Sequence, residues 1–154
     1  MREYLHDAYE ELKRVEHLIS VSLKYTRTVD VFKSIIDRMI NAYDVLLLGF
    51  LDKAKTDGKL QSVPAAPRMR CEGVMKLYGD NAQMQEYLQF YLFLRSINRA
   101  EFDRRNEFRR HVTMIAYLEN DEIIEIKMDT IAEYRETVEG FVNYVKEMFE
   151  GKKE

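Results

Sequence analysis

The stretch VFKSIIDRMINAYDVLLLGFL, residues 31–51, decides the fold class of this chain of 154 residues. Phe32, Ile35, Ile36, Met39, Tyr43, Leu46, Leu47 and Phe50 recur at steps of three and four, which gathers them on one helical stripe. Leu48 and Leu51 widen that stripe around the helix, marking it as the centre of a bundle rather than a surface element. Its longest apolar run, Val45 to Leu51, falls far short of the ~20 residues a membrane span needs. Thr28 is placed to cap the start of this helix. Asp57-Gly58 is placed to stop it, glycine being free to turn left-handed after the last turn.

Upstream, Leu5, Ala8, Leu12, Val15, Ile19 and Leu23 keep the same period and predict a first helix, interrupted at Tyr25-Thr26-Arg27. Downstream, Pro64 and Pro67 break residues 57–68 into an irregular connection. A short helix is then expected over Met69 to Tyr78, ending at Gly79. Asp80 with Gln83 reads as a capping box for another helix, whose shared face holds Met84, Leu88, Tyr91, Leu92 and Arg95. Asn98 with Glu101 reads as a second box opening a charged helix over about 99–110. The period then falls to two. Val112, Met114 and Ala116 alternate with Thr113, Ile115 and Tyr117, and Ile124, Ile126 and Met128 follow the turn residues Glu119-Asn120-Asp121. This pattern predicts a small β-hairpin near 111–128. A helix through 108–118, carrying Phe108, Val112 and Ile115, is the alternative. Thr130 with Glu133 opens the last helix, whose stripe is Ile131, Tyr134, Val138, Phe141, Val142, Val145 and Phe149, and Gly151 to Glu154 reads as a frayed end. The expected fold is therefore mainly α: an antiparallel helical bundle of about five helices, in a single domain spanning residues 1–154.

Composition narrows the function classes. With 46% hydrophobic and 33% charged residues the chain can build a core, which excludes a disordered polypeptide. A net charge of −3 argues against a general nucleic-acid coat but leaves room for a local basic patch. Cys71 is the single cysteine and has no internal partner, which suggests a reducing compartment. The chain opens on charged residues without the apolar core of a signal peptide, so a cytoplasmic location is expected. The six glycines never form a phosphate-binding loop, and His6, His17 and His111 share no metal-ligand spacing. Neither a metal nor a cofactor is expected. His6 and His17 read as surface residues, and Cys71 as a small hydrophobe.

One segment stands apart. Arg95, Arg99, Arg104, Arg105, Arg109 and Arg110 are six arginines with no lysine among them, set against Glu101, Asp103 and Glu107. A guanidinium presents a rigid fork of donors that matches phosphate oxygens two at a time. His111 follows, and histidine can give and take a proton near neutrality. Together they are the minimum for metal-free cleavage of a phosphodiester: one group steadies charge while the other moves the proton. The ordinary alternative is an ion-paired, solvated face with a histidine at a helix end. On an ideal helix Arg105 and His111 would stand roughly 120° apart, so they converge only if the helix ends between them or a second subunit completes the site.

Arg105-Asn106-Glu107-Phe108-Arg109-Arg110-His111 resembles the R-x(4–6)-H motif of the HEPN superfamily, and the order of elements is compatible over most of the chain. The resemblance implies a metal-independent endoribonuclease, or an inactive RNA-binding relative, working as a homodimer that brings two motifs together. It makes His111 the general acid/base, Arg105 the group that steadies the phosphate and Asn106 a positioning hydrogen-bonder. Arg99, Arg104, Arg109 and Arg110 would contact RNA phosphates. It also implies the setting of a toxin–antitoxin or defence system, with a nucleotidyltransferase antitoxin as partner. The chain departs from the family in the hairpin expected directly after His111, where the motif belongs inside a long helix. A reading from another class is a non-enzymatic helical interaction protein that oligomerises through its apolar second and last helices.

Overall fold

The computed structural model describes residues 1–151. Helix α1 runs Arg2–His17, passes through a π-helical turn at Leu18–Ser22 and closes at Leu23–Tyr25. Helix α2 spans Val29–Thr56, α3 Pro67–Leu77, α4 Ala82–Arg99 and α5 Met128–Glu150. Between α4 and α5 lie strands β1 (Glu101–Arg105), β2 (Thr113–Tyr117) and β3 (Ile123–Ile126), which form one antiparallel sheet in the order β1-β2-β3. The mainly helical fold expected from the apolar stripes is the fold observed.

The predicted central helix is central. Phe32, Ile35, Ile36, Met39, Tyr43 and Leu46 are fully buried, and Leu48 alone of the widened stripe is half-buried. Thr28 caps α2 by accepting a hydrogen bond from the Val31 N–H at 3.4 Å, and Gly58 ends it at φ 77°. Helices α1 and α2 run antiparallel, because Tyr4 meets Gly49 and Asp52 while Glu11 reaches Arg38. Their closest approach depends on Gly49: a Cβ there would lie 2.8 Å from Tyr4 Cγ. Tyr43 then ties α2 to the other long helices. Its ring stacks on Phe141 of α5 at 4.3 Å and tilts against Tyr91 of α4 at 5.2 Å, and its hydroxyl donates to the Tyr87 carbonyl at 3.0 Å. Burying rings of this size while satisfying the hydroxyl is what makes the junction stable. The apolar stripes of α2 and α5 thus face the chain's own core.

Other boundaries moved. The π turn was not expected. It adds a residue to the helical repeat, so the stripe slips: Leu18 and Ile19 are both half-buried before Leu23 is buried again. The cap of α4 is Asn81, whose side chain accepts from the Met84 N–H at 3.0 Å, one residue beyond the expected Asp80. Helix α5 begins at Met128, and Thr130 closes its first turn from inside by accepting from the Lys127 N–H at 3.1 Å. The expected frayed end beyond Gly151 lies outside the described residues.

The largest correction falls on the arginine-rich segment. The charged helix expected over 99–110 is absent. Helix α4 ends at Arg99, Ala100 turns extended at ψ 151°, and residues 101–105 form β1. Asn98 does not cap a new helix; its amide instead donates to Asp37 on α2. The cause is tertiary. Strand β2 packs Val112's successors Met114 and Ala116 into the core, and its free edge takes the residues that follow α4. The hairpin expected near 111–128 is present as β2 and β3, with its turn closed by the Leu118 N–H donating to the Glu122 carbonyl at 2.9 Å. The alternative helix through 108–118 is excluded by the same pairing.

Candidate functional site

Arg105 ends β1, and Asn106 and His111 lie on the loop that joins β1 to β2. Arg105 pairs in register with Thr113, so Arg105 and His111 stand on opposite arms at the mouth of a loop covering residues 106–112. The expected condition, a helix that ends between the two residues, does not arise: helix α4 ends at Arg99, before both, and a hairpin carries them. Arg105, Asn106, Arg109, Arg110 and His111 are all exposed. Val112 behind them is fully buried and plugs the loop into the core.

The loop is fixed to the helical body by three backbone and side-chain ties. The Phe108 N–H donates to the Arg27 carbonyl at 2.7 Å. The Glu107 carboxylate accepts the Val29 N–H, the first amide of α2, at 3.0 Å. That amide is one of the donors a helix start cannot satisfy internally, and a negative charge is favoured there. Arg104 links the two partners, lying 2.9 Å from Asp30 and 3.6 Å from Glu107. Asp30 holds Arg104 in its charged form, raising its pKa.

These ties sort the arginines. Arg104 is committed to the anchor, which is the ion-paired role, rather than to a free phosphate contact. Arg105, Arg109 and Arg110 have no ion pair among the described residues. Arg99 stands at the other end of β1, on the last turn of α4, and strand residues at roughly 3.3 Å each separate it from the loop.

Phe108 was read as a core residue of an alternative helix, and it is the least core-like residue here. It is 75% exposed and held at φ 66°, a left-handed conformation that costs a bulky L-residue about 1–2 kcal/mol. Asn106 shares that conformation at φ 55° at less cost, since its short polar side chain tolerates it. Burial of the ring does not offset this strain; the N–H bond to the Arg27 carbonyl holds the residue in place. Tyr25, 77% exposed, lies two residues before the Arg27 carbonyl that anchors Phe108. Arginine and aromatic side chains presented together are the chemistry that grips single-stranded nucleic acid, by phosphate contact and base stacking.

A second polar assembly lies away from the loop and was missed by sequence reading. Asp37, Asn41 and Asp44 make a polar ridge on the otherwise apolar α2, and Arg95, Asn98 and Arg99 face them from α4 across a cleft. The signal was legible as polar residues at steps of four and three on the central helix, but their partners are distant in sequence. Asp44 accepts from the Tyr91 hydroxyl, and burial raises its pKa despite that bond.

The remaining sites behave as surface or core. His6 and His17 are exposed. Cys71 is buried, its thiol aimed at the Leu88 carbonyl at 3.9 Å, and burial pushes its pKa up to about 12. Among the described residues no three His, Cys, Asp or Glu side chains gather as a metal site, and no helix is long and apolar enough to cross a membrane. Comparison of the chain with known protein families, with curated proteins and with solved structures finds no match.

Proposed function

We propose that this protein binds single-stranded RNA at the β1–β2 loop, with Arg105, Arg109 and Arg110 on phosphates and Phe108 beneath a base. The observation that carries this is Phe108 itself: exposed, left-handed and followed in the chain by Arg109 and Arg110, on a loop fixed to the helical body. A base stacked on an aromatic ring contributes roughly 1–3 kcal/mol, enough to offset the backbone cost of holding that ring outward.

The HEPN-like form of this function adds cleavage. His111 takes the proton of an attacking 2′-hydroxyl or returns one to the leaving 5′-oxygen, Arg105 steadies the charge that builds on the phosphate, and Asn106 orients it. Two protomers would bring their loops together in a homodimer, and a nucleotidyltransferase antitoxin would act by covering the same loops. A second function, non-enzymatic association, is favoured by one observation: Tyr117 and Ile123 are register partners on the sheet and both remain exposed.

The test uses a labelled single-stranded RNA, with binding and cleavage read separately. Wild type is expected to bind at low salt, and His111→Ala and Arg105→Ala to lose cleavage while the fold persists. Binding without cleavage in wild type leaves an RNA-binding protein. Absence of binding even at low salt, where phosphate contacts are strongest, overturns the proposal.

A further inference from the structure

The cleft between α2 and α4 holds charges that do not pair with one another. Arg95 and Arg99 stand one turn apart on α4, and Arg38 faces them from α2. Asp37 and Asp44 line the same cleft, yet among the described residues neither Arg95 nor Arg99 makes an ion pair. The carboxylates are held by neutral donors instead: Asp37 by the Asn98 amide and Asp44 by the Tyr91 hydroxyl. A solvated ion-pair face would have matched the opposite charges at this range. Here hydrogen bonds from neutral donors fix the carboxylates, and Arg95 and Arg99 are left without an ion pair among the described residues, while Arg38 pairs with Glu11.

Three further features suit a ligand. The Arg95 guanidinium lies over the Tyr91 ring, 5.8 Å from its centroid, which holds it in place before any anion arrives. The Asn98 Oδ1 is buried behind the wall of the cleft without a hydrogen-bond partner, an acceptor left unsatisfied there. The cleft has a volume of ≈ 550 Å³, within the range of small-molecule sites. It continues into a depression that shares Ser34 and Arg38 and reaches His17 and Leu18, where the π turn begins. Such turns are frequent at functional sites.

We propose that this cleft binds a small phosphomonoester that also carries hydroxyl or amino donors, a nucleoside monophosphate being the simplest example. Two adjacent guanidinium forks offer more donors than a carboxylate has oxygens to accept. They match the three terminal oxygens and near-double charge of a phosphomonoester. Asp37 and Asp44 retain lone pairs for the hydroxyl or amino groups of the same molecule. Of the three arginines, Arg38 is paired with Glu11 at 3.5 Å, so Arg95 and Arg99 are the two left to meet an anion. The site is independent of the β1–β2 loop, which lies at the far end of β1 from Arg99.

Isothermal titration with the four common nucleoside 5′-monophosphates tests it, with the matching nucleosides as the phosphate-free comparison. Saturable binding of at least one monophosphate is expected, together with at least a tenfold loss of affinity for its nucleoside. Arg99→Gln, an exposed substitution at a helix end that leaves folding intact, is expected to weaken that binding about tenfold, and Arg95→Gln more. The loop substitutions Arg109→Ala and Arg110→Ala are expected to leave it unchanged while they weaken RNA binding. The proposal is overturned by absence of saturable binding of all four monophosphates to the wild type. It is overturned equally by undiminished binding in Arg99→Gln, or by a loss confined to the loop variants.

Discussion

Replacing Glu107 by alanine probes the joint between fold and loop, because one carboxylate serves both. Its Oε2 accepts the Val29 N–H at 3.0 Å, and Val29 is fully buried, so water cannot readily take the vacated place. Losing a helix N-terminal acceptor costs about 1 kcal/mol, and a buried amide left without a partner costs about 1–3 kcal/mol. The pair with Arg104, at 3.6 Å and partly in solvent, adds no more than a few tenths. A loss of about 1.5–2 kcal/mol is therefore expected, which for a domain of this size lowers Tm by roughly 3–8 °C. Urea unfolding followed by far-ultraviolet circular dichroism measures it, with the slope unchanged and the midpoint lowered. Glu107→Gln keeps an oxygen for Val29 and removes only the charge, so it should recover most of the loss. If Glu107→Ala unfolds within about 0.5 kcal/mol of wild type, or if Glu107→Gln is as damaging as alanine, the loop is not anchored through this hydrogen bond.

Three other outcomes follow from particular contacts. Gly49→Val should destabilise by about 2 kcal/mol or more through overpacking against Tyr4, whereas Gly73→Ala, whose new Cβ would meet only the tip of Leu51 at 3.3 Å, should cost far less; equal effects in thermal melts would contradict this view of the α1–α2 contact. Cys71, buried with its pKa pushed up to about 12, should resist alkylation at pH 8 in the folded protein and react at once in denaturant, and rapid labelling of the native state would show that its surroundings open. Burial raises the pKa of Tyr43 and Tyr91 and pushes Tyr134 up to about 12. Because the folded values lie above the unfolded value of about 10, their contribution is fully present below pH ~10 and is lost as pH rises from there through the folded values. The urea midpoint should hold between pH 7 and 9 and fall above 10; a midpoint that is flat to pH 11 would show these hydroxyls to be accessible.

The parts of the fold that were legible in the sequence are those decided locally. The stripe from Phe32 to Phe50, the cap at Thr28, the stop at Gly58 and the alternation from Val112 to Ile126 each lie within one element and keep its period. Strand β1 was not legible, because Glu101 to Arg105 carries one apolar residue, Phe102, and its charged neighbours suit a helix equally well. Only pairing with β2 makes it a strand. The π turn left no mark, since inserting one residue into a helical repeat leaves a pattern that still looks helical. Arg105, Asn106 and His111 were singled out by type and spacing on a helix, and the structure instead carries them on the β1–β2 hairpin. The cleft shows the opposite case: Asp37, Asn41 and Asp44 interrupt an apolar helix visibly, yet what they face is set by α4, some fifty residues later.

The claim that the β1–β2 loop grips RNA phosphates is tested most directly by the salt dependence of binding. Each phosphate contact to a single strand contributes about −0.7 to the slope of log affinity against log salt, so Arg105, Arg109 and Arg110 together contribute about −2. Fluorescence anisotropy of a labelled single-stranded RNA should therefore show roughly a 20-fold loss of affinity for a fourfold rise in salt. Exchanging all three arginines for glutamine should flatten the slope by about 2 while the unfolding midpoint is kept. A variant that binds with the wild-type slope and affinity would contradict the claim.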